Sequence, residues 1–202
     1  MKDQATRSQS RGKVRALLAG GLVLGVGATV VLAAWNDSEF GTGTFTAGSF
    51  NLQGSTNGTA YSDHAAAPGA TLPFTVNPSN LAPGDTVYAP FAVRLAANTS
   101  TGATVTVNGA TAGGSSIANL TYELIQPTAF GCDASTTGTG LVTAGTALDG
   151  TLSGVTFNLD AGSPVTDPGD PVFLCFKVTA GAGLVQGQSG TATWELSAAS
   201  TS

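Results

Sequence analysis

Few side chains in this sequence are equipped for chemistry. The single histidine, His64, lies in the stretch Ser62-Asp63-His64-Ala65-Ala66. Alone it offers a general acid or base. No second histidine and no cysteine at zinc spacing accompany it, which excludes a His-rich zinc site; a solvated loop histidine is the simpler reading. Serine and aspartate are abundant, so a Ser-His-Asp set is not excluded by counting. No Gly-x-Ser-x-Gly elbow stands in a strand–turn–helix setting, however. Gly113-Gly114 lacks the following Lys-Ser/Thr of a phosphate loop. Asp160, Asp167 and Asp170 could offer oxygen ligands to Ca²⁺, but their spacing does not match a calcium loop, and Pro168 and Pro171 favour a turn-rich connector. No catalytic, cofactor-binding or metal-binding residue is assigned, and the chain is not read as an enzyme.

The two cysteines, Cys132 and Cys175, belong to a different argument, which starts at the N-terminus. Lys2, Arg7, Arg11, Lys13 and Arg15 make a basic start. No charge follows from Ala16 to Ala34, where Leu, Val, Ala and Gly dominate. A basic segment, an apolar segment and closing small residues describe a secretory signal peptide over residues 1–34, expected to form an apolar helix. The apolar stretch also approaches the roughly 20 residues of a membrane span. An uncleaved anchor is therefore the rival reading, and the only route by which a membrane is involved. Gly20, Gly21, Gly25 and Gly27 weaken a permanent span, at about 1 kcal/mol each relative to alanine. In an exported chain an even cysteine count predicts one disulfide; two separate buried thiols are the alternative. Asn36, Asn57, Asn98 and Asn119 each open an Asn-x-Ser/Thr triplet, which matters only in a host with the glycosylation machinery.

Loss of the leader leaves an acidic chain. Eleven of the twelve acidic residues lie beyond residue 34, with only Arg94 and Lys177 of the seven basic ones. Such a surface repels phosphate backbones, so nucleic-acid binding is rejected. Residues 35–202 fit one domain. They are rich in Thr, Ala, Gly, Ser and Val and poor in the long helix-forming side chains, a composition that suits strands and turns.

Alternating apolar and polar residues, bounded by Gly, Pro, Asn and Asp, mark the strands. Thr42–Gln53 is the first, with a phase shift near Gly48, and Thr71–Val76 is a short second. Thr86–Ala97 is the clearest: Val87, Ala89, Phe91, Val93 and Leu95 share one face, opposite Tyr88, Ala92 and Arg94. Pro90 has no N–H, so this strand is expected to lie at an edge or to bulge there. Thr104–Val107, Asn119–Gln126, Leu152–Leu159, Pro171–Thr179 and Thr191–Ala198 follow, with Gly131–Gly140 as a loop tied down by Cys132. Expected core faces are Leu120, Tyr122, Leu124; Val172, Leu174, Phe176, Val178; and Ala192, Trp194, Leu196. Eight or more short strands predict an all-β, two-layer antiparallel β-sandwich of jelly-roll type.

Three motifs occur in order. Ala33-Ala34-Trp35-Asn36-Asp37 comes first, then Gly43-Thr44-Phe45-Thr46-Ala47-Gly48-Ser49-Phe50-Asn51-Leu52. Val76-Asn77-Pro78-Ser79-Asn80-Leu81-Ala82-Pro83-Gly84-Asp85 is the third. Together they resemble the TasA/camelysin family, whose signal peptides are cut by a dedicated SipW-type signal peptidase. The resemblance covers the leader, the segment after it and the closing strand; the cysteine pair departs from the fibre-forming members. It implies cleavage between Ala34 and Trp35. It also implies jelly-roll subunits of an extracellular biofilm matrix, joined head to tail when the N-terminal segment of one adds as a strand to the next. Residues 35–50 would be that donor, with Trp35, Phe40, Phe45 and Phe50 along it.

The function expected is thus a secreted or cell-surface structural protein, a fibre subunit. Its partners would be further copies of itself or related matrix subunits, with the signal peptidase during export. No cofactor is implied. A surface adhesin or carbohydrate-binding module is the alternative, favoured if Tyr61, Tyr88 or Phe173 are exposed on one sheet face. A secreted peptidase of camelysin type is a third reading, unsupported by any metal-binding constellation.

Overall fold

A computed structural model describes residues 39–44, 47–75 and 80–201. The chain divides into two units, Met1–Phe45 and Thr46–Ser202. In the first, residues 39–44 form no strand, and the expected leader lies outside the described residues.

The second unit is all-β and packs two antiparallel sheets face to face. Its strands are β1 (Leu52–Ser55), β2 (Thr86–Leu95), β3 (Ala103–Gly114), β4 (Leu120–Gln126), β5 (Thr139–Ala147), β6 (Thr156–Leu159), β7 (Val172–Ala180) and β8 (Gly190–Ser200). A short 3₁₀ turn, Ile117–Asn119, leads into β4. One sheet has the order β1-β2-β7-β4-β5, and the other β6-β3-β8. This is the β-sandwich that the alternating pattern predicts.

The register explains the core. In β2, Val87, Ala89, Val93 and Leu95 are buried, and Phe91 packs partly buried against them. Val87, Ala89, Phe91 and Val93 stand opposite Val178, Phe176, Leu174 and Val172 of β7, and Leu95 opposite Leu52 of β1. Leu124 of β4 stands opposite Phe176 in turn, and Tyr122 opposite Val178. From the second sheet come Val105, Val107, Phe157 and Leu159. Each apolar side chain so removed from water contributes about 1.5–3 kcal/mol. Threonines Thr86, Thr179 and Thr121 line up across three strands on the outer face of the larger sheet. The hydroxyls of Thr86 and Thr179 are 2.9 Å apart, a cross-strand hydrogen bond.

Pro90 sits in a strand that lies inside its sheet, between β1 and β7. The missing N–H is nevertheless harmless. The N–H and C=O of Tyr88, and the nitrogen and C=O of Pro90, point away from β7, and there β1 ends at Ser55, opposite Ala92. The next contact on that flank is Thr75, whose N–H donates to the Tyr88 carbonyl at 2.7 Å. Among the described residues Pro90 faces a gap in the ladder, so the edge is local.

The early strands are shorter than the sequence predicts. Of Thr42–Gln53 only the end joins β1, preceded by an isolated Ser49–Thr99 bridge, and Thr71–Thr75 contributes one bridge at Thr75. Thr104–Val107, by contrast, is the start of a strand that runs on to Gly114. A bulge between Val107 and Ala110 lets it continue against β8. Gly109 there has φ +85°, which a side chain would strain. β5 was not expected at all.

Candidate functional site

The outer face of the larger sheet carries a lid. Cys132 and Cys175 form a disulfide with Cα atoms 5.0 Å apart. Cys175 is on inner strand β7, opposite Pro90 on one side and Ile125 on the other. The bridge holds the 127–138 connector over this face, where Ala92, Ile125 and Cys175 are buried. Phe130 of the lid meets Phe173 edge-on at 6.0 Å, and Lys177 Nζ donates to the Thr136 carbonyl at 2.8 Å. Such a bond persists in an oxidising compartment.

The lid is also ordered from within by Asp133. One carboxylate oxygen, Oδ1, accepts from the Ser135 N–H and Oγ at 2.8 Å each and from Thr136 Oγ1 at 3.0 Å. The Ser135 hydroxyl above all, then the Thr136 hydroxyl, hold the Asp133 pKa below its ordinary 3.8. A depressed carboxylate stabilises the folded lid fully above the unfolded value and loses that effect as pH falls through the folded one. The Ser135 amide resonance, titrated by NMR, should therefore move with a midpoint below 3.8. A midpoint at or above that value would contradict the arrangement.

His64 is exposed and its Nε2 lies 3.3 Å from Ser62 Oγ. Among the described residues no carboxylate hydrogen-bonds to it; the neighbouring Asp63 Oδ1 accepts instead from Asn51 Nδ2 at 3.0 Å. Asp160, Asp167 and Asp170 lie on the connector between β6 and β7. That connector folds on itself and onto β2, with Asp167 N–H to Pro164 O and Gly169 N–H to Leu95 O. Among the described residues no three His, Cys, Asp or Glu side chains converge as a metal site.

The other notable surface is the free side of the smaller sheet. β8 is an 11-residue strand paired only with β3 among the described residues. It has no proline and no lysine, and Glu195 is its one charge. Its inward row, Ala192, Trp194, Leu196 and Ala198, is only partly buried although it packs on the core. Trp194 touches Phe176 at 4.9 Å and Tyr122 at 5.9 Å between ring centroids. Burial pushes the Tyr122 phenol pKa up, and the nearby Trp194 indole pulls the other way. Neither the phenol oxygen nor the indole nitrogen has a partner of full hydrogen-bond geometry among the described residues, so their contact is a polar proximity. Beside the first half of β8 lies an apolar cavity of about 150 Å³ walled by Phe74, Leu81, Ile117, Leu148 and Trp194.

The expected cleavage residue Ala34 and, of the expected donor strand, Trp35 and Phe45 lie outside the described residues. Phe40 belongs to the first unit and is exposed. Phe50 is 41% exposed, between the Ser49–Thr99 bridge and a hydrogen bond from the Ala96 N–H to the Asn51 carbonyl. Ser49–Ser55 is therefore paired within its own chain. Sequence reasoning did not find the incomplete cover over Trp194; only the unequal strand numbers of the two sheets reveal it. Among the described residues no helix is long and apolar enough to cross a membrane. No protein-family model and no curated protein matches this sequence.

Proposed function

We propose that this protein is an exported structural subunit that assembles outside the cell by adding a strand from one copy to the free edge of β8 in the next. The observation that carries the reading is that edge. A long strand whose outer N–H and C=O groups are unpaired among the described residues is a template for further pairing, and most proteins blunt such an edge with charge, proline or brevity. β8 uses none of these beyond Glu195. Its half-covered apolar row offers the alternate pockets that give an added strand its register. A contact of this head-to-tail kind does not close on itself and so produces a filament.

The donor is the segment from Trp35 to Gly48, with Trp35, Phe40 and Phe45 as anchors. Phe50 stays with its own subunit, held by the pairing of Ser49–Ser55. The sandwich is read as jelly-roll-like and the leader as a cleaved signal helix ending at Ala34. The disulfide and the acidic surface suit a life outside the cell.

A chain beginning at Trp35 should form filaments visible by electron microscopy and elute as large species on size exclusion. A chain beginning at Thr46 should keep the same circular dichroism and remain monomeric. A monomer from the longer chain at high concentration across pH and salt, or filaments from the shorter one, would overturn the proposal. N-terminal sequencing of the exported product should return Trp35.

A further inference from the structure

The loop that follows β1, independent of the β8 edge, holds a pair of residues that can react with each other. Asn57-Gly58 lies just past the end of that strand. A glycine nitrogen carries no side chain to crowd it. Beside an asparagine it can attack the side-chain amide and close a five-membered ring. Position 58 has to be glycine: its φ is +74°, and a Cβ there would meet the Phe130 ring at 2.6 Å. The Tyr61 hydroxyl contacts the Gly58 carbonyl at 3.4 Å. Asn57 itself is exposed.

What sets this pair apart is the crowding of donors on one oxygen. Asn57 Oδ1 accepts from Ser55 Oγ at 3.0 Å, the Thr59 N–H at 3.0 Å, Thr59 Oγ1 at 3.1 Å and the Ala60 N–H at 2.8 Å. A neutral amide oxygen has only two lone pairs. Four donors suit an oxygen on which negative charge develops, as in an oxyanion hole. Ser55 is also placed to move a proton. While donating to Oδ1, its hydroxyl accepts the Gly58 N–H at 3.0 Å and the Asn57 N–H at 3.3 Å. Ser55 is 2% exposed, which shields this relay from bulk water. The chain contains its own comparison in Asn108-Gly109, the other Asn-Gly pair. There Asn108 Nδ2 is tied to Ser197 Oγ at 3.0 Å, and pairing of β3 with β8 holds the backbone on either side.

We propose that Asn57 is a self-modifying site, which the folded loop converts to aspartate and isoaspartate without an enzyme. The Gly58 nitrogen attacks Asn57 Cγ. Its proton passes to Ser55 Oγ as the Ser55 hydroxyl proton passes to Oδ1. The tetrahedral intermediate then collapses: the carbonyl re-forms, the Cγ–Nδ2 bond breaks, and Nδ2 takes that proton and leaves as ammonia. Water opens the remaining succinimide at either of its carbonyls. Each event adds a negative charge to the loop. The isoaspartate product also lengthens the backbone by one atom, at the point where Gly58 packs on Phe130 of the lid. The loop therefore changes charge and shape with time after folding.

The test incubates the folded full chain at neutral pH and follows conversion of amide to acid by peptide mass spectrometry. Trypsin cleavage at Arg94 puts the two Asn-Gly pairs on different peptides. Asn57 should convert at least about tenfold faster than Asn108, the rate equivalent of one well-placed donor. It should also convert faster in the folded chain than in guanidinium, whereas Asn108 should convert more slowly when folded. Ser55→Ala removes the relay and one donor, and should slow Asn57 by about tenfold or more. Unchanged near-ultraviolet circular dichroism in that variant keeps folding out of the comparison; a changed spectrum passes the decision to the folded and unfolded rates of the parent chain. Conversion of Asn57 no faster in the folded chain than in guanidinium would overturn the proposal. So would equal rates at Asn57 and Asn108, or an unchanged rate in a folded Ser55→Ala variant.

Discussion

A protein with both Cys132 and Cys175 replaced by alanine is expected to unfold about 4 kcal/mol more easily than the parent. The bridge spans 43 residues, and closing a loop of that length removes much of the unfolded chain's freedom. Part of the effect is native. Without the bridge, the 127–138 lid is held by Phe130 on Phe173 and Gly58, the Lys177–Thr136 bond and its own Asp133 network. Urea unfolding checks this. The midpoint should fall and the slope should rise, because an uncrosslinked chain exposes more surface when unfolded. A loss below about 1 kcal/mol would mean that the unfolded chain is compact without the bridge.

Phe176→Ala should cost about 3–5 kcal/mol. Its ring is 1% exposed, packs at 4.9 Å on Trp194, and sits on the strand that pairs with both β2 and β4. Truncation there opens a void at the junction of the two sheets. Trp194 and Tyr122 already make an imperfect polar contact, so neither is well placed to collapse into it. Val185→Ala is the control: that side chain is 61% exposed, and its loss should change stability by no more than about 0.5 kcal/mol. Similar costs for the two variants, read from chemical denaturation, would refute this account of the core.

The alternating strands were legible because one face of each is buried. Burial of one face fixes which residues go inward. β2, β4 and β7 follow that rule, and their core faces are those that the sequence predicts. β5 was illegible for the converse reason. Apart from Leu141 and Val142 its residues are small or polar, only Val142 is fully buried, and its pairing with β4 slips at Leu124. A strand that buries almost nothing leaves almost no pattern. Thr42–Gln53 fails differently: its residues favour extension, but among the described ones only Leu52 onward join a ladder. Pairing is a tertiary property, and propensity alone overstates it.

The candidate sites divide along the same line. Two cysteines in an exported chain name each other by count. Asn57-Gly58 stands in the sequence as a pair, but the convergence of donors on its amide oxygen is a property of the folded loop. The half-covered β8 row depends on one sheet having five strands and the other three. That imbalance belongs to topology, which the period of a sequence does not encode.

Complete burial of the Cys175 sulfur sets a schedule for maturation. A thiol on an inner strand, buried beneath the closed lid, is out of reach of a soluble oxidant. Thiolate exchange needs access to the attacked sulfur. The bridge therefore forms before the lid closes over β7, while the Cys175 sulfur is still open to an oxidant. Oxidation and closure of the lid thus belong to one stage of folding.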